Sequence, residues 1–208
     1  MQKLFLTSVA SKVLNKFIDM IDRPPSDLTV AFIPTASDVY ENKSFVENDR
    51  NKLVELWFKI FDINIAGKNE SFLEKHLENV DILFVAGGNT FYLLEKAIAS
   101  WFDKIVKKLV KNWKHYIGSS SGSVIAGTSI EHVKLLDDSS KWPNLTSFNG
   151  LCLVDKIILP HYGNEKYQDK MNQILRDYSN LQDKIITLTD NQALVIDNNT
   201  LKIISNDD

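Results

Sequence analysis

Apolar runs of strand length alternate with segments of helical periodicity along most of the chain. Such runs are typical of parallel strands buried on both faces of a sheet, and they predict strands at 4–7, 28–34, 63–66, 81–86 and just before residue 120. Apolar residues that recur every three or four positions predict helices at 9–21, 42–61, from 71 onward, 91–98 and 101–113. Alternating strands and helices favour βαβ units. The pattern therefore predicts an α/β fold, a three-layer sandwich with a mostly parallel sheet.

The pattern is less regular in the last third of the chain. Residues 131–136 are interpreted as a strand, and 137–150 as an irregular polar loop. A mostly apolar segment precedes Pro160 and His161, and a helix is predicted at 166–178. The tail predicts short strands joined by turns at 190–191 and 198–199, and these strands lie at 185–188, 193–196 and 201–204. Because no internal repeat or linker interrupts the chain, we expect a single domain, 1–208.

Composition and charge narrow the classes of function. The chain is 44% hydrophobic and has a formal net charge of -3, so its charge does not indicate a nucleic-acid or anionic-membrane partner. The single cysteine, Cys152, excludes an internal disulfide, and no Cys/His cluster has the spacing of a zinc site. No stretch approaches the roughly eighteen apolar residues of a membrane span. We therefore expect a soluble cytoplasmic protein.

The stretch 116–127 predicts a short strand, an abrupt turn of small residues and the start of a helix. It contains one match to Gly-x-Ser-x-Gly, the nucleophile-elbow pattern, in which a sharp turn exposes a serine hydroxyl at the sheet edge. Three serines stand in a row, but only Ser120 has glycines two positions away on both sides, Gly118 and Gly122. A Cβ at either glycine would collide with the neighbouring strand or helix. Ser120 is therefore the candidate nucleophile, although the same pattern also fits a plain strand-to-helix turn.

A serine hydroxyl becomes a strong nucleophile when a base takes its proton and an acid orients that base. Of the four histidines, His161 is the candidate base, because it follows an apolar run and a proline at the expected carboxyl end of a strand. His132 is a second candidate near the elbow. His76 lies within a predicted helix, and His115 lies at the far end of the elbow strand from Ser120. The residues favour His161, with a loop-capping histidine as the structural alternative.

Candidate acids lie in two loops of the second half of the chain. Asp137 and Asp138 follow the elbow helix, and Asp190 lies in a predicted turn between two C-terminal strands. Aspartates are common turn formers in exposed loops. The residues alone therefore leave all three open, both as a catalytic acid and as a turn residue.

The segment Gly87-Gly88-Asn89-Thr90 admits two functional interpretations. Backbone N–H groups at a helix start can bind a phosphate, but neither Gly-x-x-x-x-Gly-Lys-Ser/Thr nor Gly-x-Gly-x-x-Gly is present. The N–H groups of Gly88 and Ser121 can instead form an oxyanion hole for the charge that develops on a carbonyl oxygen. A second glycine turn at a neighbouring strand end favours the oxyanion hole over a structural turn.

Three blocks of the chain are more specific together than any one of them alone. They are 85–91 with Gly-Gly-Asn-Thr, 116–122 with Tyr-Ile-Gly-Ser-Ser-Ser-Gly, and 159–162 with Leu-Pro-His-Tyr. These blocks resemble peptidase family S51, the dipeptidase E and cyanophycinase group. The resemblance implies a class I glutamine amidotransferase-like (flavodoxin-like) α/β sandwich. It also implies a serine peptidase that hydrolyses short peptides through an acyl-enzyme on Ser120, with His161 as the base.

The same resemblance implies the remaining roles in the site. The acid should lie downstream of the elbow, with Asp137 as the first choice and Asp190 as the second. From the residues, we expect Gly88 and Ser121 to supply the oxyanion hole and Asn89 to contact the substrate. No metal or cofactor is implied. We expect a short peptide as the substrate, no nucleic-acid or membrane partner, and a monomer or homodimer.

The chain departs from the family pattern at two places. Ser121 stands where the family usually has alanine, and 163–168 lacks the arginine found after the histidine in members that cleave after an N-terminal aspartate. A strict aspartyl-dipeptide specificity is therefore not expected.

Two other functions are alternatives to a peptidase. An α/β-hydrolase-type esterase shares the elbow and the Ser, Asp, His order. A non-catalytic protein that binds a small ligand in the same crevice is the alternative from another class.

Overall fold

Nine strands are found in the computed structural model, which describes residues 3–138, 142, 144–197 and 200–206. They are β1 Lys3–Thr7, β2 Thr29–Ile33, β3 Lys59–Asp62, β4 Ile82–Val85, β5 His115–Ser119, β6 Ile157–Leu159, β7 Ile185–Thr187, β8 Gln192–Asp197 and β9 Thr200–Ser205. Seven of them form one sheet in the order β3-β2-β4-β5-β1-β8-β9, and β6 and β7 form a second sheet.

Parallel pairing in both sheets gathers loops at one edge. The neighbours from β3 to β1 in the large sheet are parallel, and only β8 and β9 are antiparallel. Carboxyl ends of parallel strands lie at the same edge, so the loops after β1, β4 and β5 come together. Leu159 of β6 lies opposite Thr187 of β7 in a parallel pair. This pairing brings the residues after each strand, His161 and Asp190 among them, side by side. The mostly parallel sheet is confirmed.

Helices cover both faces of the large sheet. They are α1 Ala10–Val13, α2 Asn15–Ile18, α3 Ser44–Glu55, α4 Glu70–Leu77, α5 Thr90–Ala99, α6 Phe102–Lys111, α7 Ser121–Ala126 and α8 Gln168–Asp177. Alternate strand residues point to opposite faces: Phe5 packs with α1, α2 and α3, whereas Leu4 and Leu6 pack in a second core with α4 to α7. Two apolar cores on either side of one sheet confirm the three-layer sandwich.

The predicted strand at 63–66 is wrong, because the third strand lies four residues earlier. Trp57 has a φ of 68°, which ends the helical path after α3 and allows β3 to begin at Lys59. β3 is an edge strand whose side chains are mostly exposed, so it lacks the apolar run that marks a buried strand. The more apolar residues after it, Ile63 and Ile65, enter the core without pairing as a strand.

The predicted strand at 131–136 is also wrong. Glu131–Leu135 forms a 3-10 helix in which His132 and Val133 are buried. Leu136 packs against the same core. The inward-facing positions 132, 133 and 136 follow the spacing of a helical turn rather than the alternation of a strand.

The helix predicted at 9–21 and the two predicted C-terminal turns can also be compared with the structure. The helix predicted at 9–21 is divided into the short helices α1 and α2. Residues 190–191 form the expected turn, whereas 198–199 lies outside the described residues. Within the described part of the chain, no helix combines the length and the apolar character that crossing a membrane requires.

Candidate active site

Ser120 occupies a sharp turn between β5 and α7. Its φ of 49° and ψ of -111° lie outside the regions that most residues adopt, and its N–H donates to the Thr7 carbonyl at 2.9 Å. A Cβ on Gly118 would lie 2.7 Å from the backbone of Gly122, and a Cβ on Gly122 would lie 2.0 Å from the Val85 carbonyl oxygen. The two glycines therefore allow β4, β5 and α7 to pack closely enough to form the turn.

The three consecutive serines have different surroundings. The hydroxyl of Ser119 is buried and accepts a hydrogen bond from the Ala10 N–H at 3.2 Å. The hydroxyl of Ser121 is buried and lies 3.5 Å from a backbone carbonyl oxygen of the loop after β4. Only the Ser120 hydroxyl reaches the ring of His161. The glycine spacing in the sequence thus selected the serine whose hydroxyl contacts His161.

Ser120, His161 and Asp190 form one chain of hydrogen bonds. The Ser120 Oγ lies 2.9 Å from the His161 Nε2, and the His161 Nδ1 lies 2.7 Å from the Asp190 Oδ1. The Asn164 amide donates to the Asp190 Oδ2 at 3.1 Å. The hydrogen bond from His161 is the largest cause that holds the pKa of the Asp190 carboxyl below its usual value, and Asn164 acts in the same direction. A carboxylate held in this way keeps a proton on Nδ1 and leaves Nε2 free to accept one.

The backbone after β6 fixes the position of His161. Its φ is 64°, and its N–H donates to the Ser8 hydroxyl oxygen at 3.0 Å. The Ser8 hydroxyl in turn donates to the Leu188 carbonyl at 2.8 Å. These bonds tie the loop after β1, the loop after β6 and the loop after β7 together, and so hold His161 against both Ser120 and Asp190.

Asp137, the first choice for the acid, is not the partner of His161. Its Oδ2 accepts a hydrogen bond from the Thr90 N–H at 2.8 Å, whereas both ring nitrogens of His161 are already bonded. Burial raises the pKa of the Asp137 carboxyl, and the bonds from Thr90 oppose that rise. The second choice, Asp190, takes the place at Nδ1, because the parallel pairing of β6 and β7 brings its turn beside His161.

Gly88 and Ser121 lie beside Ser120 in the wall of the same cleft. Gly88 has a φ of 147°, and a Cβ there would lie 2.1 Å from the Ala36 carbonyl oxygen, so only glycine fits this close approach. Among the described residues, neither the Gly88 N–H nor the Ser121 N–H donates to another backbone or side-chain group. Two donors without a partner beside a serine have the arrangement that an oxyanion hole needs.

Asn89 is not among the residues that line the cleft, and its expected contact with the substrate stays a prediction. Asn89 is the N-cap of α5, and its side-chain oxygen accepts a hydrogen bond from the Tyr92 N–H at 3.0 Å. Asparagine is among the residues that most favour this position. Its place in the Gly-Gly-Asn-Thr block is therefore explained by the helix that it starts.

The other histidines lie away from Ser120. His132 is buried, and its Nε2 lies 2.9 Å from the Ile158 carbonyl oxygen. The ring of His76 stacks on Phe72 with the ring centres 3.9 Å apart. His115 is at the first position of β5, at the opposite end of the strand from the elbow. The structure therefore brings only His161 of the four to the candidate nucleophile.

Comparison with known proteins places this geometry in a family. The model described as Peptidase family S51 matches residues 4–204. The chain belongs to peptidase family S51. An uncharacterized peptidase of Listeria monocytogenes is 33% identical over 196 residues, which cover 94% of this chain and 95% of that protein. A Peptidase E of Haemophilus influenzae is 29% identical over 140 residues, which cover 67% of this chain and 61% of that protein.

Solved structures agree with membership of family S51. The crystal structure of a candidate peptidase E protein from Listeria monocytogenes superposes with a TM-score of 0.92 at 31% identity, and the match covers 99% of this chain and 98% of that one. A peptidase from an acI-B1 Actinobacterium shares the fold with a TM-score of 0.69 at 16% identity, over 99% and 88% of the two chains. The family membership and the peptidases of Listeria monocytogenes and Haemophilus influenzae support a peptidase hydrolase.

The cleft of this S51 family member has a volume of about 490 Å³. Besides Ser120 and His161, the cleft is lined by aromatic, acidic and basic side chains. The sequence pattern did not assign these side chains to a common site. These include Tyr40, Phe45, Lys166 and Tyr167. Asn164 and Ser8, which hold Asp190 and His161, were also missed. No sequence signal marks them, because each acts through a contact between loops that are far apart in the chain.

Proposed function

We propose that this chain is a serine-type peptidase that hydrolyses short peptides through an acyl-enzyme on Ser120. The observation that supports it most directly is the continuous line of contacts from Ser120 through His161 to Asp190. Family membership supports the peptidase chemistry. The size of the cleft, about 490 Å³, lies within the range typical of small-ligand sites and favours a short substrate.

Each residue has one role in the proposed reaction. The Ser120 Oγ attacks the carbonyl carbon of the scissile peptide bond while the His161 Nε2 takes the hydroxyl proton. Asp190 stabilises the imidazolium that forms. The protonated His161 then donates that proton to the leaving amine, the C–N bond breaks, and an ester to Ser120 remains. Water then attacks the ester carbonyl while His161 takes its proton. The bond between the acyl carbon and the Ser120 Oγ breaks, His161 returns the proton to Oγ, and the acyl group leaves as a carboxylic acid.

The oxyanion hole is the second part of the proposal. The carbonyl oxygen of the substrate becomes negatively charged in the tetrahedral intermediate, and the N–H groups of Gly88 and Ser121 donate to it. Donors that are fixed in place before the reaction stabilise such a charge without reorganisation, and one such donor typically contributes about 100-fold or more in rate. The positive end of α7 adds to the same stabilisation.

Fluorophosphonate labelling tests the proposal, because the reagent reacts only with an activated serine. The wild-type protein should gain one phosphonyl group on the peptide that carries Ser120, and it should hydrolyse members of a dipeptide library. Ser120→Ala should lose both activities. Ser119→Ala is the matched control, since its hydroxyl is bonded to the Ala10 N–H rather than to His161, and it should retain the label. Ester hydrolysis without peptide hydrolysis would favour the esterase instead, and absence of labelling would favour the non-catalytic binding protein.

A further inference from the structure

Two aromatic side chains with exposed rings lie in the wall of the cleft. Tyr40 and Phe45 both line the cleft, and they are 39% and 41% exposed. Their rings pack edge to face with the ring centres 6.0 Å apart. Aromatic rings that stay exposed together in a concave site are typical of a place where a ligand buries an apolar group. The proposed reaction uses neither ring.

Phe45 lies close to the candidate nucleophile. A Cβ on Gly87 would lie 3.2 Å from the Ser120 Cβ and 3.9 Å from the Phe45 Cδ2. Both atoms are therefore within 4 Å of one point, and since residue 87 is glycine, no side chain separates them there. A side chain next to the carbonyl that Ser120 attacks can reach the ring of Phe45.

The order of the strands places the aromatic pair and His161 on different sides of Ser120. Ser120 follows β5, which lies between β4 and β1. The loop after β2, which leads into the pair, is tied to the loop after β4 by a hydrogen bond from the Asn89 N–H to the Ala36 carbonyl at 2.8 Å. His161 is tied instead to Ser8 after β1. Because His161 donates the proton to the leaving amine, the residue that supplies the attacked carbonyl lies toward the aromatic pair.

The acidic groups near the pair disfavour an acidic substrate side chain. Asp49 lies one helical turn after Phe45 on α3, lines the cleft and is only 3% exposed. It accepts a hydrogen bond from the Ser11 N–H at 2.8 Å, and among the described residues no lysine, arginine or histidine nitrogen lies within 4.0 Å of its carboxylate. Asp137 is a second carboxylate of the cleft. An acidic side chain beside the rings would lose hydration and face carboxylates rather than a cation, so it should bind poorly.

The lysine that lines the cleft is placed with His161 instead. The ammonium of Lys166 lies 5.1 Å from the centre of the Tyr167 ring, and this ring centre is 5.7 Å from that of His161. Lys166 therefore belongs to the side of the cleft that receives the leaving group. It does not supply a cation beside Phe45.

We propose that Tyr40 and Phe45 form a subsite for a large apolar side chain, aromatic or branched aliphatic, of the residue whose carbonyl Ser120 attacks. This inference rests on the proposed function, since it assigns the substrate class of the same site. The two rings cover the apolar side chain, and Asp49 disfavours an acidic one. Phe45 is then a residue that determines specificity, and it takes no part in the proton transfer by His161.

A purely structural role of Phe45 makes a different prediction. If its ring only packs beside the elbow, its loss should disturb Ser120, slow every substrate by the same factor and slow fluorophosphonate labelling as well. If the ring binds a substrate side chain, its loss should affect only substrates in which that side chain is large. Dipeptides that differ only in the first residue separate the two roles.

Steady-state kinetics provide the first test. The substrates are phenylalanyl-alanine, leucyl-alanine, alanyl-alanine and aspartyl-alanine, measured with the wild-type protein, Phe45→Ala and Phe61→Ala. Burial of a large apolar side chain predicts that the wild-type kcat/KM is roughly 10- to 100-fold higher for the first two substrates than for alanyl-alanine, and lowest for aspartyl-alanine. Phe45→Ala should lower kcat/KM for phenylalanyl-alanine by roughly tenfold. It should leave alanyl-alanine within about twofold of wild type and keep the wild-type rate of fluorophosphonate labelling.

Phe61→Ala is the matched control for this truncation. Phe61 is 37% exposed, so the substitution removes a ring of similar exposure, but from the edge strand β3 and away from the cleft. Phe61→Ala should retain the wild-type preference for phenylalanyl-alanine.

Calorimetry gives a second test that does not depend on turnover. Phenylalanyl-alanine and its isomer alanyl-phenylalanine are titrated into Ser120→Ala and into Ser120→Ala/Phe45→Ala. The first protein should bind phenylalanyl-alanine at least about tenfold more tightly than the isomer, and the second should bind both equally. Tighter binding of the isomer, equal binding or no binding of the two peptides to Ser120→Ala overturns the inference, as does an equal kinetic loss on all four substrates in Phe45→Ala. Absence of fluorophosphonate labelling in the wild-type protein would instead overturn the proposed serine chemistry, while the calorimetry still decides the aromatic subsite.

Discussion

At the scale of single residues, the sequence pointed to the serine and the histidine that lie in contact in the structure, but it ranked Asp137 above Asp190, which is the aspartate that contacts this histidine. Ser120 was recognisable because two glycines at fixed spacing are needed to pack the turn, and His161 because it follows an apolar run and a proline. The acid carries no comparable local signal. Asp190 reaches His161 only because two three-residue strands pair in parallel, and strands of that length leave almost no pattern in a sequence.

Neutralising Asp190 and neutralising Asp137 should change the kinetic parameters in different ways. Asp190→Asn removes the group that fixes the tautomer of His161, so kcat should fall by about 10⁴-fold. Asp137→Asn should lower kcat far less, because Asp137 contacts Thr90 rather than the imidazole. Steady-state kinetics of both variants check the contrast. A larger loss of kcat in Asp137→Asn than in Asp190→Asn would return Asp137 to the role of catalytic acid.

At the scale of elements, the segment Glu131–Leu135 forms a 3-10 helix where the sequence predicted a strand. The buried His132 joins this helix to the Ile158 carbonyl of β6, the strand that leads to His161. Its Nδ1 is buried without a partner among the described residues. Sequence periodicity over five residues does not distinguish one helical turn from a short strand, and a buried histidine is not expected from hydrophobicity alone.

This histidine should make the stability of the protein sensitive to acid. Burial lowers the pKa of His132 from 6.5 to about 4, so below pH 6.5 the unfolded chain binds a proton that the folded protein binds only near pH 4. Its contribution to the free energy of unfolding is fully present above the unfolded pKa and is lost as pH falls through this window. Between pH 7 and pH 5 the loss should be about 2 kcal/mol.

Urea unfolding of His132→Gln at pH 7 and pH 5 measures that contribution. The variant should be less stable than wild type at pH 7, because the amide packs less well, but its stability should decrease less between the two pH values. His76→Gln is the control, since His76 lies on an outer helix stacked on Phe72, and it should show the full wild-type pH dependence. An identical pH dependence in His132→Gln and wild type would contradict a neutral His132.

At the scale of the whole molecule, the parallel sheet assembles the site. Ser8, Gly88 and Ser120 follow β1, β4 and β5, and the second sheet adds His161 and Asp190. The central strands were predictable because both of their faces are buried, whereas the exposed edge strand β3 was not. The sequence could indicate that the loops meet at one edge, but not the side-chain contacts that loops distant in the chain make there.

The close packing of β4, β5 and α7 should tolerate substitution less than any other part of this sheet and its site. In Gly122→Ala the new Cβ meets the Val85 carbonyl oxygen, so the free energy of unfolding should fall by about 3 kcal/mol and the elbow should lose its fluorophosphonate labelling. Gly67→Ala is the matched control: Gly67 has a φ of 71° with open space around it, and the cost should be only about 1 kcal/mol. Urea unfolding compares the two, and equal losses would contradict the packing argument.

A crystal structure of the fluorophosphonate adduct would show the nucleophile and the oxyanion hole in one measurement. The phosphorus atom should be bonded to the Ser120 Oγ, with one phosphonyl oxygen within about 3 Å of the Gly88 and Ser121 N–H groups, and His161 should still be bonded to Asp190. An adduct on a different serine, or a phosphonyl oxygen that points away from both N–H groups, would contradict the proposed reaction.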